Sequence, residues 1–188
     1  LGKLELSNST GLLPLAVAMI TVADNEGNID VTTINHLGVL CMEPMYVGIS
    51  LDSDSFAHSL IEKNPEFVVN SVGEDLLYEA DLLKNSKDEH IDKFELARIT
   101  PQPAKLVRPP SLLESPFNLE CRVQEVIRLG IQDFYVGKVL LSYIEEAALS
   151  DIGKYEEVDI KRSRAIVEIA GAYWSIAHRI DAPKRMAA

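Results

Sequence analysis

Cysteine is scarce. Cys41 and Cys121 are the only two in 188 residues, too few for a disulfide scaffold. Long apolar runs are missing as well. The longest, Leu12 to Ala23, is interrupted by Pro14 and Thr21 and falls short of the roughly 18 residues of a membrane span; its flanks also lack a signal-peptide layout. Positive charge is in short supply: 18 Lys+Arg stand against 29 Asp+Glu, a formal charge of −11. A surface this negative repels phosphate, which argues against a general nucleic-acid binder without excluding a local basic pocket. These absences lead to the expectation of a soluble, cytoplasmic globular protein with no membrane and no nucleic acid among its partners.

Generic catalytic signatures are also absent. There is no G-x-G-x-x-G, Walker loop, G-x-S-x-G elbow or H-E-x-x-H. The histidines His36, His58, His90 and His178 show no metal-ligand spacing, so neither a metal site nor a catalytic side chain is assigned. Cys41, beside Met42, reads as a small hydrophobe, and His58 and His90 read as surface residues.

What is present is a 47% hydrophobic composition, enough to bury a core. The length suits one domain over residues 1–188, with no visible repeat or linker. Leu15 to Ala23 reads as one buried strand. Asp24-Asn25-Glu26-Gly27 reads as a turn, and β-branched Ile29 to Ile34 as the returning strand of a hairpin. Tyr46 to Leu51 is a third strand. Phe56, Leu60 and Ile61 share a helical face within Ser55–Lys63, and Pro65 stops that helix. Glu66 to Val72 returns to strand. Two helical patterns follow, with Leu76, Ala80 and Leu83 aligned on the first and Ile91, Phe94 and Ala97 on the second. Five prolines between Pro101 and Pro116 mark ordered loop or edge structure.

Phe117, Leu119, Cys121 and Val123 then alternate with Asn118, Glu120, Arg122 and Gln124, the pattern of a half-buried strand. Phe134 to Ile144 is a long strand whose internal Gly137 suggests a bulge or a close backbone approach. Tyr173 and Trp174, ahead of a basic tail at Lys184 and Arg185, read as core or dimer contacts. Antiparallel-looking strands with inserted helices favour a closed or partly open β-barrel over a doubly wound sheet.

The order of segments carries a resemblance. Ala16-Val17-Ala18-Met19-Ile20-Thr21, leading to Asp24 and Gly27, is like an opening hairpin. Asp30-Val31-Thr32-Thr33-Ile34-Asn35-His36-Leu37-Gly38-Val39 is similar to "N-v-x-T-x-S-W-f-G-p". Glu43-Pro44 with Val47-Gly48-Ile49-Ser50-Leu51 resembles "D-P-P-l-v-x-v-S-l". His58-Ser59-Leu60-Ile61 and Phe67-Val68-Val69-Asn70 resemble "x-x-L-I … F-V-V-N". Asp92-Lys93-Phe94, Leu96-Ala97 and Thr100-Pro101 resemble "D-K-F … a-G-l-T-p". Asn118 to Val123 and Val136-Gly137-Lys138-Val139 resemble "x-l-E-C-r-v … f-v-G-e-V". Taken in this order, these segments resemble the flavin reductase-like family, the FMN-binding split barrels that include flavoredoxins and ferric reductases.

The resemblance implies a mainly β fold, an antiparallel Greek-key split β-barrel with peripheral helices. It implies FMN bound at a homodimer interface. The flavin ring is expected against Thr33, Ile34, Asn35 and His36, whose unpaired backbone groups would meet its pyrimidine edge. The phosphate is expected near Ser50, Leu51 and the start of the following helix, where free N–H groups hold anions. Lys93 matches a lysine close to the flavin. The family's phosphate-contacting Arg and Thr fall at Ser55 and Ala57, which removes a bidentate cation and a hydroxyl. The ring-side Trp falls at His36, and a late His at Gln132.

The implied activity is electron transfer from NAD(P)H or a protein donor, through FMN, to flavin, ferric iron or another acceptor. The alternative is a barrel that binds flavin or a small ligand without redox turnover. The residues themselves allow plainer roles: Ser50 and Ser55 as helix caps, Lys93 paired with Glu89 or Asp92, and His36 as a hydrogen-bonded structural residue.

Overall fold

The computed structural model describes residues 2–5, 11–84, 86, 90–149 and 160–176; His178, Glu89, Lys184 and Arg185 lie outside them. In chain order the strands are β1 (Leu15–Ala16), β2 (Ala18–Ala23), β3 (Ile29–Ile34), β4 (Leu37–Met42) and β5 (Met45–Asp52). Helix α1 (Phe56–Lys63) leads to β6 (Glu66–Ser71), α2 (Leu77–Lys84) and α3 (Lys93–Ala97). Then come β7 (Pro101–Gln102), β8 (Ser111–Leu112), β9 (Phe117–Leu129), β10 (Gln132–Ile144), α4 (Ile160–Ser163), β11 (Ile166–Ile169) and β12 (Ala172–Ser175).

Seven strands form one sheet in the order β3-β2-β6-β9-β10-β5-β4, and every pairing is antiparallel. The two edges, β3 and β4, are consecutive in the chain. β3 comes against β5 with no ladder between them. This is the expected split barrel, and the unladdered seam is the split.

Two apolar clusters account for the sequence patterns. One fills the barrel with Ala18, Ile20 and Val22 of β2, Val47, Ile49 and Leu51 of β5, Leu60 and Ile61 of α1, Phe67, Leu119, Cys121 and Tyr135. The other lies outside the sheet under α2 and α3 and holds Met19, Val31, Leu76, Ala80, Leu83, Phe94 and Ala97. All six residues of β2 are buried because core covers both of its faces. Gly137 fits both expectations at once. The β9–β10 register shifts beside it, and a Cβ there would meet Phe67 Cζ at 2.4 Å.

Several elements differ from expectation. The strand read as Leu15–Ala23 breaks at Val17: β1 pairs with β11 in a small separate sheet, and β2 joins the barrel. Strand β4 is not legible in the sequence. Its Val39, Leu40 and Met42 are exposed, as is Cys41, so it has no amphipathic period and exists through pairing with β5. Ile91 is exposed and precedes α3.

Asn118 and Glu120 are buried, not solvated. The proline-rich segment crosses their face, and Glu120 accepts the N–H groups of Lys105 and Leu106 at 2.9 and 2.6 Å. Asn118 donates to Asn70 Oδ1 at 2.8 Å, and Asn70 also accepts from Leu112 N–H at 2.9 Å. Buried polar groups are thus paired with one another or with the loop backbone. His58 is not a surface residue either. Its Nε2 lies 2.6 Å from Asp133 Oδ2, and the side chain is only 15% exposed. Tyr173 packs on the outer cluster, whereas Trp174 is 58% exposed.

Candidate flavin cleft

An open cleft lies at the split between β3 and β5. Its walls include Thr33, Ile34, Asn35 and His36 from the end of β3 and the turn after it. Ser50, Leu51 and Asp52 come from the end of β5, and Ser55 and Phe56 from the start of α1. Thr32, Lys84, Ser86, Lys93 and Gln132 complete the lining. The sheet brings these segments together: β3 ends where β5 ends, because residue 36 folds back and its carbonyl accepts Ser50 N–H at 3.1 Å.

Of the nine cofactor-binding residues implied by the resemblance, eight line this cleft: Thr33, Ile34, Asn35, His36, Ser50, Leu51, Ser55 and Lys93. Ala57 does not. It is fully buried in the barrel core beneath α1.

The expected free backbone groups are only partly free. Thr33 and Ile34 pair with Met19 and Ala18 of β2 on one side, which leaves β3's other side as the sheet edge. The His36 carbonyl is already taken by Ser50.

The start of α1 is also largely committed. Ser55 is its N-cap: the hydroxyl accepts from His58 N–H at 3.2 Å and donates to the Asp52 carbonyl at 2.7 Å. The cap reading of Ser55 is therefore met. Ser50 lies within β5 and caps no helix. The Ala57 N–H helps to hold the Asp30 carboxylate, so an internal acid uses part of the helix start that an incoming anion would meet.

Among the described residues Lys93 pairs with Asp30 and not with Asp92; Glu89 lies outside them. The Lys93 Nζ lies 3.0 Å from Asp30 Oδ1, with both side chains 4% exposed. Burial pushes the Asp30 carboxyl up from its ordinary value, and the Lys93 ammonium pulls it back. Asp92 instead caps α3, accepting Phe94 and Glu95 N–H, both at 3.0 Å. Gln132 donates to Asp52 Oδ1 at 2.9 Å across the β5–β10 ladder.

Two features escaped the sequence reading. Thr33 Oγ1 is buried and has no hydrogen-bond partner among the described residues, an uncommon state for a hydroxyl. Lys84 brings a second cation to the cleft from the end of α2, and it pairs with Glu168 at 2.7 Å. Lys84 stands at the C-terminus of an amphipathic helix whose inner face was recognised, but nothing local marks it as a wall of this cleft.

The family model for the flavin reductase like domain matches residues 10–159. The chain belongs to the flavin reductase-like family. Its flavin-linked oxidoreductase class follows from that membership.

A relative from Archaeoglobus fulgidus, itself uncharacterized, is 30% identical over 132 residues, covering 69% of this chain and 72% of that protein. An NADPH-flavin oxidoreductase of Streptomyces viridifaciens is 29% identical over 130 residues, covering 69% of this chain and 66% of that protein. The fold of this flavin reductase-like chain matches the flavoredoxin of Desulfovibrio vulgaris (Miyazaki F), with a TM-score of 0.87, 19% identity and 98% of each chain covered. No helix among the described residues is long and apolar enough to cross a membrane.

Proposed function

We propose that the chain is an FMN-binding oxidoreductase, taking electrons from NAD(P)H or a protein donor and passing them to free flavin, ferric iron or another acceptor. The observation that carries this reading is the partnerless Thr33 hydroxyl in a cleft whose lining suits a flavin. A buried hydroxyl left unsatisfied costs about 1–3 kcal/mol, and a ligand donor or acceptor in the cleft would relieve that cost. Ile34, Leu51 and Phe56 offer apolar surface for a flat ring. Asn35, His36 and the free edge of β3 offer donors and acceptors to its polar rim.

Bound FMN supplies the redox chemistry. The chain's part is to bind and orient it. Thr33 and Asn35 would meet the ring's polar edge, the β3 backbone would help to orient it, and Lys84 would bring positive charge near it. Ser50, Leu51 and Ser55 would hold the phosphate.

The protein acts as a homodimer with the flavin between subunits. The exposed apolar residues of β4, Val39, Leu40 and Met42, adjoin the cleft through the turn at Asn35–His36 and support this arrangement. A stable dimer of this kind buries above about 2,000 Å² in total.

One observation favours a second reading, a flavin or small-ligand binder without turnover: the Ser55 hydroxyl is committed to capping α1, so the phosphate end has a weak grip. An anaerobic absorbance titration tests both readings. Micromolar FMN should bind, and NAD(P)H should bleach its visible absorbance band. Binding without bleaching by NAD(P)H or a reduced protein donor leaves the second reading, and no binding removes both. Sedimentation at micromolar protein should give a dimer.

A further inference from the structure

The C-terminal hairpin reaches the cleft from behind. β11 pairs with β1 and β12, which sets Glu168 opposite Leu15 on one side and Tyr173 on the other. Glu168 is 7% exposed. A single oxygen, Oε2, accepts from Asn35 Nδ2 at 3.1 Å and from Lys84 Nζ at 2.7 Å. Both donors line the cleft, and they come from separate elements, the turn after β3 and the end of α2. The Lys84 ammonium also lies 5.8 Å from the centroid of the Tyr173 ring, and Tyr173 is anchored by donating to Asp81 at 3.0 Å. Glu168 falls beyond the span matched to the family model.

Two consequences follow from the chemistry of a carboxylate. An ionised carboxylate only accepts, so the Asn35 amide nitrogen must face it and the Asn35 carbonyl is the group left to meet a ligand N–H. A flavin presents one such N–H, the imide, on its pyrimidine edge. Glu168 also sets the charge that the cleft receives from Lys84. The other lysine, Lys93, is 4% exposed and paired with Asp30, whereas the Lys84 side chain is 34% exposed. Lys84 is therefore the cation whose field a ligand meets more directly, and a neighbouring negative charge offsets that field.

We propose that Glu168 is a positioning residue of the cleft: it turns the Asn35 carbonyl toward the imide of a bound flavin and moderates the charge of Lys84 beside the ring. The inference rests on the flavin reading of the cleft. It makes orientation and charge separable, because affinity reads the first and reduction potential reads the second.

The test uses the full chain loaded with FMN, with dissociation constants from fluorescence titration and midpoint potentials from equilibration against a reference dye. Reduced flavin carries more negative charge than oxidised flavin. Glu168→Gln therefore frees the field of Lys84 and shifts the reduction equilibrium toward reduced flavin by about tenfold, which for a two-electron couple is about 30 mV upward. Lys84→Gln moves the potential downward. Glu168→Asp keeps the charge but shortens the reach, so it retains the potential and weakens FMN binding several-fold.

A purely structural Glu168 would alter the unfolding midpoint and leave the potential of bound FMN alone. Unchanged potential and affinity in Glu168→Gln overturn the proposal while the flavin reading stands. A wild-type chain that binds no FMN overturns both. If Glu168→Gln fails to fold, Glu168→Asp decides: FMN affinity weakened several-fold at an unchanged potential supports the proposal, and unchanged affinity overturns it.

Discussion

Lys93 and Asp30 form an ion pair inside the wall of the cleft, Nζ standing 3.0 Å from each carboxylate oxygen and both side chains nearly fully buried. Removing one partner strands the other charge in a poorly solvated site, which costs about 3–5 kcal/mol. Lys93→Met alone is expected to lose that much by urea unfolding. Adding Asp30→Asn should restore most of it, because the amide still accepts the Ala57 N–H without carrying a charge. A double variant whose loss equals the sum of the Lys93→Met and Asp30→Asn losses would show that the pair is not coupled.

Thr33→Val separates folding from binding. The hydroxyl makes no hydrogen bond among the described residues, so the change in shape is slight and a burial cost disappears. The ligand-free protein should be as stable as the parent or more so, while FMN affinity falls by up to about tenfold, the loss of one hydrogen bond. Paired denaturation and flavin titration check this. A stability loss with unchanged affinity would assign the hydroxyl to the fold.

Arg98 closes α3 in the left-handed conformation, with φ at 54°, a region that favours glycine. An L-residue with a side chain pays about 1–2 kcal/mol for that conformation, partly offset by the greater freedom of glycine in the unfolded chain. Arg98→Gly should raise stability by about 0.5–1 kcal/mol, seen as a higher urea midpoint at constant slope.

Asp24 supplies the acid sensitivity of the first hairpin. Its carboxylate accepts the Asn28 side-chain amide at 2.8 Å and the N–H groups of Glu26 and Asn28 at 2.9 and 3.0 Å. These bonds, the Asn28 amide foremost, hold its carboxyl down from 3.8 to about 2 against the opposing effect of burial. A depressed folded-state value means that its stabilisation is complete above about pH 4 and is lost as the pH falls through about 2. Asp24→Ala should be less stable than the parent at pH 6, with the gap narrowing across that interval in pH-dependent unfolding.

Much of the barrel was legible because its signals are local. The period of two in Phe117, Leu119 and Cys121 marks the inner face of β9. The continuous apolar run through β2 reflects core on both faces, and Ser55 and Pro65 bracket α1 through capping and a missing N–H. The resemblance placed Thr33, Asn35, His36, Ser50 and Lys93 at one site, and the fold does gather them into one cleft.

Other features depend on partners far apart in the chain. Asn118 and Glu120 read as solvent-facing because alternation reports polarity, not what a later loop covers; the segment at Lys105 and Leu106 buries and satisfies them. Strand β4 exists through its ladder with β5, and the break at Val17 through the pairing of β1 with β11.

The amino-acid order by itself determined the class of fold, since side-chain period, caps and turn residues act within a few positions, while the segments that wall the cleft were implied by the family resemblance. The tertiary structure alone decided which charge meets which: Asp30 rather than Asp92 for Lys93, and Glu168 for Lys84 and Asn35. The physical reason is that an ion pair is chosen by distance in space, and chain crossings bring together residues whose local patterns carry no trace of one another.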